Sequence, residues 1–132
     1  KPSPGLDRET AIAVVSILNT SWPKTLPKPL ISSFEADALE AARDIAPDLN
    51  RAFIAFKIPN NWRSVLQRLG CVALHAQAKH LTKAKVGAVL DAGYAVRAFT
   101  VNEKAEAEKL FRWGVDGVFS DFPDRLMGMG NA

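Results

Sequence analysis

From Pro29 onward the chain repeats one order: a short apolar run, one or two polar residues, an amphipathic stretch, then another apolar run. The runs are Pro29 to Phe34, Ala52 to Ile58, Cys71 to His75, Ala95 to Val101 and Val115 to Phe119. They begin roughly 19–24 residues apart, which is the length of a strand, a helix and two short loops. Phe53, Ile54, Ala55 and Phe56 are apolar at consecutive positions rather than alternate ones, as a strand covered on both faces requires. The pattern therefore predicts an α/β fold around a parallel sheet.

The stretches between the runs carry helix signals. Ser32 with Glu35 three residues later has the form of a capping box, which predicts a helix through Ala36, Leu39, Ala42 and Arg43 that stops before Pro47. Thr82 is placed to cap a helix bearing Val86, Val89 and Leu90 and ended by Gly93. Asn102 is placed to cap another, with Ala107, Leu110 and Phe111 facing inward and Gly114 at its end. Ahead of the repeats, Ala11, Ile12, Val15 and Leu18 stand at helical spacing within a predicted helix from Asp7 to Leu18. Pro23, Pro27 and Pro29 lack a backbone N–H, which makes Trp22 to Pro29 a connecting loop.

Composition narrows this picture. With 132 residues, 48% hydrophobic and 23% charged, the chain is expected to form a single globular domain over 1–132, and disordered or collagen-like classes are excluded. Its 17 Lys and Arg against 14 Asp and Glu are scattered, which gives nucleic-acid binding little support. Cys71 stands alone, ruling out an internal disulfide, and no run has the length of a bilayer span. These features predict a cytoplasmic protein. The sequence opens Lys1-Pro2-Ser3-Pro4-Gly5 with no methionine, so residues ahead of Lys1 are expected to belong to it.

In parallel α/β sheets ligands bind beyond the carboxyl ends of the strands. Those ends carry Ser32 and Ser33, Lys57, His75, Thr100 and Asn102, and Ser120 and Asp121, with Lys1 joining the series if a strand ends just before it. Hydroxyls, amides, lysine and imidazole together suit an oxygen-rich anion. Simpler readings stand beside this one: capping for Ser32, Asn102 and Asp121, a hydrogen-bonded strand-end histidine for His75, a solvated side chain for Lys57, and packing for Trp22, Trp62 and Trp113. Gly128 and Gly130 lack the strand-loop-helix context of a phosphate loop. The residues alone reach a βα-repeat domain with a possible anion site.

Five segments in order take the reading further: Lys1-Pro2; Leu30-Ile31-Ser32-Ser33-Phe34 with Ala38-Leu39-Glu40-Ala41-Ala42; Leu69-Gly70-Cys71-Val72 leading to His75; Phe99-Thr100-Val101-Asn102; and Leu110 to Gly117 leading to Ser120-Asp121-Phe122-Pro123-Asp124. Together they resemble the short cytosolic type of bacterial glycerophosphodiester phosphodiesterase, over essentially the whole chain. The resemblance implies the C-terminal five or so βα units of a (β/α)8 barrel, with Lys1 closing its third strand. A five-stranded, doubly wound open sheet is the alternative.

The resemblance also implies the chemistry: a metal-dependent hydrolase of lipid and glycerol metabolism, converting a small glycerophosphodiester to glycerol 3-phosphate and an alcohol with Mg or Ca. The family's catalytic histidine pair and its metal-binding carboxylates would lie upstream of Lys1, so no catalytic or metal-binding residue is expected here and residues 1–132 alone are expected to be inactive. What remains is a rim of the pocket, with Lys1 toward the phosphate beside Ser33, and His75, Phe99 and Asn102 shaping the glycerol side. The family usually has tryptophan at the position of Phe99 and threonine at that of Ser120. A non-catalytic anion-binding or structural βα module is the competing function.

Overall fold

The computed structural model describes residues 1–128; Gly130 lies outside them. In chain order the elements are α1 (Asp7–Ser21), β1 (Leu30–Ser33), α2 (Ala36–Ile45), β2 (Asn50–Ala55), α3 (Trp62–Leu69), β3 (Ala73–Gln77), a 3-10 turn (Ala78–His80), α4 (Lys83–Leu90), β4 (Ala95–Phe99), α5 (Lys104–Arg112), β5 (Gly117–Val118) and α6 (Pro123–Leu126). Helix and strand alternate, and the sheet runs in sequence order, β1-β2-β3-β4-β5. A doubly wound sheet reverses its order at a switch point, so that alternative is set aside. No helix among the described residues is long and apolar enough to cross a membrane.

The chain folds as two compact units, one formed by 1–54 with 61–73 and the other by 55–60 with the described residues 74–128. In the first, β1 pairs parallel with β2, Ile31 opposite Arg51 and Ser33 opposite Phe53. Its core gathers Ala11 and Val15 of α1 with Ala41, Ala42 and Ala46, and Ile31 and Leu49 pack against them. Alanines on both helices let α1 and α2 approach closely. Trp22 ends α1, and its indole N–H donates to the Pro27 carbonyl at 3.0 Å, folding the proline-rich loop onto itself.

Arg51, 5% exposed, is the unit's buried cation. Its guanidinium donates to the carbonyls of Leu49 (2.6 Å), Ala46 (3.2 Å), Pro47 (3.3 Å), Gly70 (3.0 Å) and Leu69 (3.1 Å). These carbonyls follow or end α2 and α3, where unpaired C=O groups accumulate and the helix dipole is negative.

In the second unit β4 pairs parallel with β5, Arg97 opposite Gly117 and Ala98 opposite Val118. Leu74, Ala76, Val86, Val89, Val96, Ala98 and Leu110 are fully or almost fully buried. Thr82 caps α4 as expected, its hydroxyl accepting the Lys85 N–H at 3.3 Å. Gly114 follows α5 at φ +97°, and a Cβ there would meet Leu90 Cδ1 at 2.6 Å, so a glycine is needed both for the turn and for helix α4 to come close.

Several expectations are corrected. Ser32 is no cap: β1 stays extended through Ser33, so the turn comes later, α2 starts after Glu35, and Ser33 Oγ accepts the Glu35 N–H at 3.0 Å. Asn102 does not cap α5, which begins at Lys104 behind Glu103. His75 lies inside β3 rather than at its end, because the strand runs from Ala73 to Gln77. Ile12 and Phe111 are 45% and 41% exposed. Each stands about 100° around its helix from a buried neighbour, Ala11 or Leu110, and the buried stripes are too narrow to reach them. Helix α3 fills the amphipathic stretch between the second and third apolar runs, where the sequence reading named no cap or end residues.

Candidate functional site

In the first unit Lys1, Pro2, Ser32 and Ser33 line a cavity of about 230 Å³ together with Val14, Leu18 and Leu39. Helix α1 carries the chain from Lys1 round to β1, and Lys1 and Ser33 line the same cavity. Ser32 is exposed and Ser33 half-buried. The lysine head is the cationic group of this cavity's lining, and the serines supply hydroxyls.

In the second unit the loops after β4 and β5 are clasped by Asn102. Its Nδ2 donates to Asp121 Oδ2 at 3.1 Å, while its Oδ1 accepts from the Ser120 hydroxyl (3.0 Å) and the Asp121 N–H (2.9 Å). Ser120 Oγ accepts in turn from the Phe122 N–H at 3.0 Å. Asn102, Ser120 and Asp121, read separately as strand-end residues, are thus brought together, and their polar atoms largely satisfy one another. One Nδ2 hydrogen of Asn102 lies outside these bonds.

His75 is 2% exposed, and neither ring nitrogen has a hydrogen-bond partner. Its ring stands 5.1 Å from that of Phe119, tilted by 54°. Burial lowers its pKa to about 4, the nearby Arg97 adds to the depression, and Asp116 opposes it. The imidazole is therefore neutral at physiological pH. Arg97 is itself bonded to Asp116 at 3.3 Å. Phe99, half-buried at the end of β4, meets Phe56 edge to face with centroids 6.2 Å apart.

Lys57 and Thr100 are exposed. His80 is held below its ordinary pKa by desolvation and by the charges of Lys57, Lys79 and Lys85. Burial pushes the Cys71 thiol up to about 11 against a smaller opposing effect of Arg51, so it stays a thiol rather than a nucleophilic thiolate. Among the described residues no group of three or more His, Cys, Asp or Glu side chains could hold a metal ion. The side chains present therefore do not fit a divalent cation site. What they offer at the surface is a cation, hydroxyls and aromatic rings. Sequence reasoning did not single out Phe56 and Phe119, although Phe119 closes its apolar run and Phe56 stands two residues before the end of its own, just past β2.

Sequential parallel strands with polar side chains at and beyond their carboxyl ends define a βα-repeat protein of the barrel class. The model of the glycerophosphoryl diester phosphodiesterase family matches residues 3–125, and the chain belongs to that family. A glycerophosphodiester phosphodiesterase of Bacillus altitudinis is 30% identical over 100 residues, 74% of this chain and 41% of that protein. An Oleispira antarctica phosphodiesterase, solved in complex with the product sn-glycerol-3-phosphate, is 39% identical, with a TM-score of 0.91 over 96% of this chain and 51% of its own. A glycerophosphodiester phosphodiesterase from Parabacteroides distasonis, 20% identical with a TM-score of 0.76 over 96% of this chain and 52% of its own, shares the fold. The family resemblance read from the five segments is borne out. The five βα units are those of a (β/α)8 barrel, and the chain spans about half the length of these structures.

Proposed function

We propose that the protein containing these residues hydrolyses glycerophosphodiesters. The observation that carries the reading is the close likeness to a phosphodiesterase solved with its product sn-glycerol-3-phosphate. In the proposed reaction a water oxygen bonds to phosphorus, the bond from phosphorus to the alcohol oxygen breaks, and the alcohol leaves with a proton from water. The products are glycerol 3-phosphate and the alcohol.

The proton-moving histidines, and the carboxylates for the Mg or Ca that the family resemblance implies, are assigned to residues outside 1–132. None of the roles given to this chain depends on the metal. Lys1 is assigned to the phosphate, where its fixed positive charge suits an anion, with Ser33 as a neighbouring hydroxyl. In the second unit His75 and Phe99 are assigned to the glycerol side, and Asn102 to the same side through the loop it holds. A cytoplasmic setting belongs to the same proposal, and the single buried thiol of Cys71 is consistent with it.

The test is release of glycerol 3-phosphate from glycerophosphocholine or glycerophosphoglycerol, followed through NADH formation by glycerol-3-phosphate dehydrogenase. The full natural chain is expected to turn over, and residues 1–132 alone are expected to give no release. Turnover by residues 1–132 alone would overturn the placing of the catalytic groups elsewhere. No release by the full chain would favour a non-catalytic anion-binding or structural module.

A further inference from the structure

Three phenylalanines and a histidine stand together in the second unit. Phe56 follows β2 and is 60% exposed, and Phe119 follows β5 and is 46% exposed. Phe99 ends β4 with its ring 6.2 Å from that of Phe56. The Phe119 N–H donates to the Ala98 carbonyl at 2.8 Å, which extends the Ala98–Val118 register by one residue and sets Phe119 beside Phe99. Residues paired in this way project to the same face of a sheet. His75 backs Phe119 at 5.1 Å.

Burying exposed rings against a ligand gains little selectivity unless the ligand answers their chemistry. Aromatic faces carry negative quadrupole charge and attract a cation lying over them, and in water one whose charge is spread over methyl groups is favoured because it gives up little hydration. The Arg97 guanidinium is paired with Asp116 at 3.3 Å, and the imidazole behind Phe119 is neutral; Lys57, which follows Phe56, is an exposed cation of the same strand end. The hydroxyl and amide groups of Ser120 and Asn102 are bonded to each other and to Asp121.

We propose that Phe56, Phe99 and Phe119 form an aromatic wall that receives a quaternary ammonium group on the alcohol half of the substrate, making choline-type diesters the preferred class. This rests on the phosphodiesterase reading and sets its specificity. Phe99, assigned above to the glycerol side, joins the wall through its ring contact with Phe56.

The test compares the full natural chain with Phe56→Leu and Phe119→Leu on two substrates of equal shape, glycerophosphocholine and glycerophospho-3,3-dimethylbutanol, in which carbon replaces the charged nitrogen. The wild-type ratio of kcat/KM is expected to favour the choline ester by about 10-fold, and each variant is expected to reduce that ratio about threefold or more. A wild-type ratio within about twofold of unity, or a ratio preserved in both variants, overturns the aromatic wall while leaving the phosphodiesterase intact. If neither ester is hydrolysed, the phosphodiesterase reading fails. Titration of the Phe ring NMR signals with choline and with 3,3-dimethylbutan-1-ol then decides the wall, which stands if choline alone shifts them and falls if both or neither do.

Discussion

His75 shows how far a single side chain can depart from its reading in sequence. A histidine after Cys71-Val72-Ala73-Leu74 reads as a hydrogen-bonded residue at a strand end, whereas it lies inside β3 with neither nitrogen bonded. The apolar run marks the strand but not its far boundary, since Ala76 continues the buried pattern past the histidine. Desolvation has a consequence for pH. The unfolded chain binds the imidazole proton near the ordinary value of 6.5 and the folded chain only near 4, so the unfolded state binds more protons between them. Stability is fully present above about pH 6.5 and is lost as pH falls through about 4, by about 3 kcal/mol. In urea unfolding across pH 3 to 8, His75→Leu is expected to flatten this acid slope without loss at neutral pH, because an unbonded buried ring nitrogen costs about 1–3 kcal/mol. An unchanged slope would remove His75 as its source.

Among the elements, the helix ends of the first unit depend on one strand residue. Arg51 gathers carbonyls from the α2–β2 loop and from the end of α3, so a residue of β2 closes two helices. Nothing in the sequence distinguishes this arginine from the solvated ones, since its partners are backbone atoms brought in from 18 and 19 residues away. Arg51→Met removes the side-chain donor from these carbonyls, of which Ala46 keeps the Leu49 N–H, and is expected to destabilise the protein by about 2–3 kcal/mol. Arg51→Lys keeps the charge without the planar fork and should recover less than half of that in the same denaturation measurement. A loss under about 1 kcal/mol for Arg51→Met would contradict the role. Caps were legible where side chain and helix are neighbours, as at Thr82, and illegible where the side chain reaches across the fold, as at Asn102.

For the whole molecule, the order of strands and helices was legible because the apolar runs and the helical stretches alternate so regularly. The site was legible as a list of strand-end residues but not as a set of partners, because the bonds from Asn102 to Ser120 and Asp121 span 18 and 19 positions. Its aromatic part was hidden because Phe56 and Phe119 look like core. β1 and β5 close the sheet order, and Val14 and Ile17 leave α1 apolar toward solvent at 39% and 62% exposure, with Leu6 just ahead of the helix at 49%. Unpaired strands and exposed apolar helix faces recruit other chains. Residues 1–132 alone are therefore expected to self-associate in analytical ultracentrifugation, and a monodisperse monomer with a cooperative melt would contradict that expectation. The carbonyl cage of Arg51 bears on how the molecule fails. Most buried cations answer to a carboxylate, and acid dissolves such a bond by protonating it. Arg51 answers only to amide oxygens, which do not titrate, so acidification leaves the fastening of the first unit in place while it charges the imidazole buried in the second.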